Sequence, residues 1–158
     1  MLDFSSFFEW LQATRLATTV GGSPALTGLL SGIHLLGLTI VLGGAFVSGL
    51  RLLGVLLPDQ PVTEVAAPAA RAMVVGMAAS VATGSLMFAS RASEIAAIEI
   101  FQVKMALLFT AVIFHFTVYL KTTRQDDAPV RRLRLSGILG LALWFGVALA
   151  GSGFILLE

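Results

Sequence analysis

The chain contains no cysteine. That excludes disulfides, thiolate metal sites, iron–sulfur clusters and the C-x-x-C-H attachment of a c-type haem. Charge is also scarce, with 12% Asp, Glu, Lys and Arg against 57% hydrophobic residues, about half the charged fraction usual in a soluble domain. Such a chain is an integral membrane protein. Its net charge of +1 argues against nucleic acid as a partner. Only two histidines are present, His34 and His115, so a zinc site lacks its third and fourth ligands. HExxH, Ser-His-Asp and phosphate-loop patterns are missing as well. Asp3 and Glu9 precede any basic residue and no small-residue cleavage pattern follows. The N-terminus therefore does not read as a removable signal peptide, and the first span directs insertion itself.

What is present is organised around 24–57. From Ala25 to Leu50 no Asp, Glu, Lys or Arg occurs, which exceeds the ~20 apolar residues needed to cross a bilayer. Three more spans follow at about 69–90, 100–120 and 135–157. The segment between the first two, PDQPVTEVAAP, has three prolines and reads as a loop. KTTRQDDAPVRRLR reads as a charged loop before the fourth span. Ahead of them, residues 3–19 place Phe4, Phe7, Phe8 and Leu11 at helical spacing. The pattern predicts a short amphipathic helix at the membrane interface, anchored by Trp10. The fold expected is all-α: one transmembrane four-helix bundle over 1–158 behind this interfacial helix. Gly76, Ser80 and Gly84 repeat every fourth residue, a small-residue ridge suited to close helix contact.

Of ten basic residues, Arg51, Arg71, Lys121, Arg124, Arg131, Arg132 and Arg134 fall at one end of the bundle and Arg15, Arg91 and Lys104 at the other. By the positive-inside rule both termini lie on the outer, periplasmic side of a bacterial cytoplasmic membrane.

Histidine inside a lipid-spanning helix is costly and usually faces protein. Each imidazole alone is accounted for by a hydrogen bond to a neighbouring helix. The two together match bis-histidine ligation of haem b, which takes two neutral imidazoles. His34 shares its face with Thr27, Gly37, Val41, Gly44 and Ser48, and Gly37 and Gly44 leave room either for close packing or for a flat cofactor. Lys104, about three turns from His115 on nearly the same face, either snorkels to the headgroups or neutralises haem propionates. Residue counting sets the histidines ~10 Å apart in depth, a mismatch that helix tilt reduces. Met73, Met77 and Met87 read as packing residues.

The pieces IHLLG at 33–37, LRLLG at 50–54, TGSLMFAS at 83–90, FQVKMALL at 101–108, Phe114–His115 and LALWFGVALAG at 141–151 resemble an uncharacterised family of short bacterial four-span membrane proteins. That family is similar in plan to CopD-type and other four-helix b-type cytochromes. The resemblance implies a haem b protein moving electrons through the membrane, with a quinone or redox partner or other membrane subunits. It implies an electron-transfer subunit rather than a stand-alone enzyme. The chain departs from the family pattern at Gly49, where an acidic residue is expected, and in TAVIFH, which lacks an expected Asn. The competing reading is a cofactor-free accessory subunit of a larger membrane complex. A transporter is less well supported, since no span carries a buried carboxylate.

Overall fold

A computed structural model describes residues 5–157, with side chains described to 153. Phe4, placed above on the amphipathic face, and Glu158 lie outside the described residues. Among the described residues there are helices and no strands, and four helices are long and apolar enough to cross a membrane. They form a helical bundle, as expected.

The N-terminal segment is two helices, not one. Helix α1 (Ser5–Gln12) and helix α2 (Arg15–Gly21) are separated because Thr14 adopts an extended conformation and its hydroxyl accepts the Ala17 N–H, capping α2. Such a cap satisfies an otherwise orphan helix donor. Phe7 and Trp10 stay largely exposed, as an interfacial anchor requires. Phe8, in contrast, meets Phe88 edge-on at 6.0 Å. In α2, Ala17 and Val20 are buried and the Val20 carbonyl accepts the Thr27 hydroxyl. The segment is thus fastened to the bundle.

Helix α3 (Pro24–Leu53) starts on the Ser23 cap with Pro in its first turn, where the missing N–H costs nothing. It ends four residues earlier than expected because Gly54 takes φ +77 and its N–H bonds the Arg51 carbonyl, a left-handed cap that glycine accepts without strain. Helix α4 (Val62–Ser90) begins seven residues earlier than expected and contains Pro68. The carbonyl that Pro68 cannot serve belongs to Glu64, exposed in the first turn, so water can satisfy it. Val62, Ala66 and Ala70 meanwhile gain burial. After a short turn of helix α5 (Ala92–Ile95), helix α6 runs Glu99–Phe114, continues as a π-helical turn His115–Tyr119, and closes as α7 (Leu120–Thr122). Helix α8 (Val130–Leu157) starts five residues earlier than expected, directly after Pro129.

Helix α3 lies against α4 and α8, and α6 lies against α8. At the seam of α3 and α4, a Cβ on Gly37 would lie 2.6 Å from the Gly76 carbonyl oxygen, and one on Gly44 2.8 Å from the Ala69 carbonyl oxygen. The backbones therefore touch, which is what small residues at fourfold spacing permit. At the seam of α3 and α8, Gly137 approaches the Gly49 carbonyl in the same way. Large apolar side chains such as Leu29, Leu36, Val75, Phe109, Ile113 and Leu149 point outward, so the surface of the bundle is suited to lipid. The described residues begin, at α1, and end, at the close of α8, at one end of the bundle, here the terminal end. The connections 54–61 and 123–129 make up the loop end. Two ties hold that end. The Arg51 guanidinium donates to the Gln60 and Pro58 carbonyls, and Asp126 accepts the Thr63 N–H at 3.0 Å and its hydroxyl at 2.8 Å.

Candidate functional site

His34 sits on α3 in the terminal half of the bundle, partly buried against α4. Its Nδ1 is 2.8 Å from the Ser80 carbonyl oxygen and 3.4 Å from the Thr83 hydroxyl. A carbonyl can only accept, so Nδ1 carries the proton and Nε2 keeps its lone pair. Ser80 returns a hydrogen bond from its hydroxyl to the His34 carbonyl at 3.0 Å. The imidazole can approach α4 this closely because position 84 is glycine: a Cβ there would stand 3.0 Å from the ring. Ser80 and Gly84 belong to the small-residue ridge read from the sequence, and the structure sets that ridge against α3. Lys104 of α6 is within electrostatic reach of His34, half-buried, with its stem alongside Gly151 of α8 and no hydrogen bond or ion pair among the described residues.

His115 is elsewhere. It is fully buried at the start of the π turn, stacked on Tyr119 at 5.5 Å and 24° and edge-on to Trp144 at 6.0 Å. It faces the Ala70 carbonyl of α4, yet neither ring nitrogen makes a hydrogen bond of normal geometry. Trp144 Nε1 is likewise buried without a hydrogen-bond partner among the described residues. The Tyr119 hydroxyl and the Ser48 hydroxyl of α3 share a bond of 2.8 Å, and Ser48 also donates to the Gly44 carbonyl. A π turn has an i to i+5 pattern, which brings i and i+4 nearer to one line than an α turn does. That stacks the two rings.

The two histidines are not brought to one level. His34 lies beside Ser80 and Gly84 of α4 and near Lys104 of α6, whereas His115 lies beside Ala70 of α4. Ten residues of α4 and eleven of α6 separate those levels, about 15 Å of helix rise. Tilt does not remove this gap, because it is measured along helices packed in the same bundle. Joint axial ligation of one haem by His34 and His115 does not fit this arrangement. Gly37 and Gly44 do not border an open space either: Ser80 and Gly76 occupy the first position and Met73 and Ala69 the second. Their smallness serves helix contact. Among the described residues no three His, Asp or Glu side chains converge on one point.

A family of unknown function, DUF6644, matches residues 7–156, nearly the whole length. The chain belongs to that family. No curated protein and no solved structure matches it. The resemblance to an uncharacterised family of short membrane proteins is thus borne out, and the match shows no link to CopD-type proteins or cytochromes. In this DUF6644 chain the glycine standing where an acidic residue was expected has a packing reason: a Cβ on Gly49 would lie 2.7 Å from Leu141 Cγ on α8. A carboxylate side chain at that position would have to displace the Leu141 side chain from the seam.

Sequence reasoning did not single out the cluster of Ser48, Tyr119 and Trp144. One signal was available, since Tyr119 is the only tyrosine and stands four residues after His115, on one helical face. The π turn has no such signal.

Proposed function

We propose that this multi-pass membrane protein is a haem b-binding, cytochrome-like subunit of a bacterial electron-transfer complex, with His34 alone, and not the pair His34 and His115, as the protein ligand to iron. The observation that carries this reading is the orientation of His34: Nδ1–H is committed to the Ser80 carbonyl, leaving Nε2 as a fixed donor. Metal-binding histidines are held in this way, the second nitrogen fixing tautomer and ring direction. Lys104, which has no hydrogen bond or ion pair among the described residues and lies within electrostatic reach of His34, supplies the positive charge that a porphyrin carboxylate needs. A bound haem would supply one-electron transfer. The protein's part is to orient the imidazole through Ser80, to keep α4 clear of the ring at Gly84, and to hold an ammonium within electrostatic reach of it. A quinone or another subunit is the redox partner in this reading. Six of the ten basic residues lie at the loop end, with Arg71 about two and a half turns into α4 in the same half, and we place that end in the cytoplasm with the termini outside.

Haem content and optical spectra of the detergent-purified protein, made with ample haem supply, test the reading. Stoichiometric haem with a five-coordinate, high-spin spectrum is expected. His34→Ala should abolish binding, Lys104→Gln should weaken retention, and His115→Ala should leave haem content unchanged. A sharp low-spin spectrum lost with either histidine would overturn the single-ligand arrangement. Colourless protein would overturn haem binding altogether. It would favour a cofactor-free packing subunit, which the closed glycine seam of α3 and α4 also supports.

A further inference from the structure

A cleft of about 420 Å³ opens at the loop end between α6 and the first turns of α8. Its walls are apolar, from Phe114 and Val118 on one side and Leu135 and Leu139 on the other, and Arg131 and Arg132 stand at its mouth. Both arginines are exposed, and neither has a hydrogen bond or ion pair among the described residues. The single ion pair among those residues joins Arg91 and Glu94 at the opposite end. The carboxylate of Asp126, in the loop just before α8, is already taken by Thr63 of α4.

We infer that this cleft holds one anionic phospholipid, its phosphate on Arg131 and Arg132 and an acyl chain along Phe114, Val118, Leu135 and Leu139. Basic pockets between spanning helices at the membrane surface select anionic headgroups. Guanidinium groups grip phosphate through paired N–H donors. The apolar walls run inward from the mouth along spanning helices, so the ligand must be charged at headgroup depth and hydrocarbon below it. The proposal does not depend on haem.

The test is native mass spectrometry and thermal stability of the full chain in nanodiscs of phosphatidylcholine with or without phosphatidylglycerol. The wild type should keep one phosphatidylglycerol through mild delipidation and melt at higher temperature in its presence. At about 1 kcal/mol for each basic residue near an anionic surface, Arg131→Gln with Arg132→Gln should lower the preference for phosphatidylglycerol about thirty-fold. Lys121→Gln with Arg124→Gln removes the same charge outside the cleft and should change it little. Leu139→Trp should expel the lipid without altering charge. Equal retention of phosphatidylcholine, an equal loss in the Lys121/Arg124 variant, or equal stabilisation by inorganic phosphate alone would each overturn the proposal. The arginine variants act on exposed side chains, so they keep it testable even where Leu139→Trp fails to assemble.

Discussion

Replacing Gly37 with alanine tests the packing at the centre of the bundle. The new Cβ would stand 2.6 Å from the Gly76 carbonyl oxygen and 3.0 Å from the Ser80 backbone nitrogen. Real Cβ contacts essentially never fall below 3.0 Å, and both atoms are backbone, so no side-chain rotation relieves the clash. The two helices must part by several tenths of an ångström along a seam that also holds Gly44 against Met73. Overpacking of this kind costs about 1–3 kcal/mol. The proper reference is a glycine on the same helix with free space. Gly32 and Gly43 have nothing within 4 Å of a built Cβ, and alanine there should be neutral or stabilising by up to about 1 kcal/mol, because alanine is the better helix former. The helix-propensity gain is common to all three substitutions and cancels, so the expected gap between Gly37→Ala and the mean of Gly32→Ala and Gly43→Ala is about 1–3 kcal/mol. Denaturation of the purified protein in mixed micelles, followed by far-UV circular dichroism, measures it. Adding Gly76→Ala to Gly37→Ala should cost less than their sum, since helices already parted accept the second methyl. Three variants of equal stability would refute the backbone contact and with it the placement of α4 on α3.

Further outcomes follow from other contacts. Tyr119→Phe should cost about 0.6 kcal/mol, typical of one side-chain hydrogen bond inside a membrane protein, because Ser48 keeps its bond to the Gly44 carbonyl. Ser48→Ala should cost more, since it strands the buried Tyr119 hydroxyl; the same denaturation assay ranks the two, and the reverse order would contradict the geometry. The Thr63 N–H, aided by the Thr63 hydroxyl, holds the Asp126 carboxyl below the usual carboxylate range. Its contribution is therefore full above the unfolded carboxylate value, about 3.9, and fades as pH falls through the lower folded value. Hydrogen exchange at 62–64 should accelerate in Asp126→Ala at neutral pH, and equal exchange in both proteins would remove the tie. Because the chain has no cysteine, Asp127→Cys and Ser93→Cys are clean topology probes. A membrane-impermeant maleimide applied to intact cells should label position 93 and spare 127; the opposite pattern would invert the orientation.

The sequence by itself determined the class of structure and its surroundings. Long runs without charge admit no other solution in lipid than helices that satisfy their own backbone, so four spans, the bundle and the suitability for lipid contact were legible at once. The ridge of Gly76, Ser80 and Gly84 was legible too, because close approach needs missing side chains at a helical period. Helix ends were less so, since Pro68 and Pro129 read as loop until burial of Val62, Ala66 and Ala70 outweighed one unserved carbonyl. The relation between the two histidines was decided only by tertiary structure. Counting residues from uncertain span ends gave a modest mismatch, whereas the partners of each histidine across α4 and α6 put them about 15 Å apart. Periodicity reports which face a residue occupies, and it carries no information on which turn of one helix meets which turn of the next. That register comes from the glycine contacts of α3 with α4 and α8, and it is what leaves His34 with an available nitrogen and encloses His115 among aromatic rings.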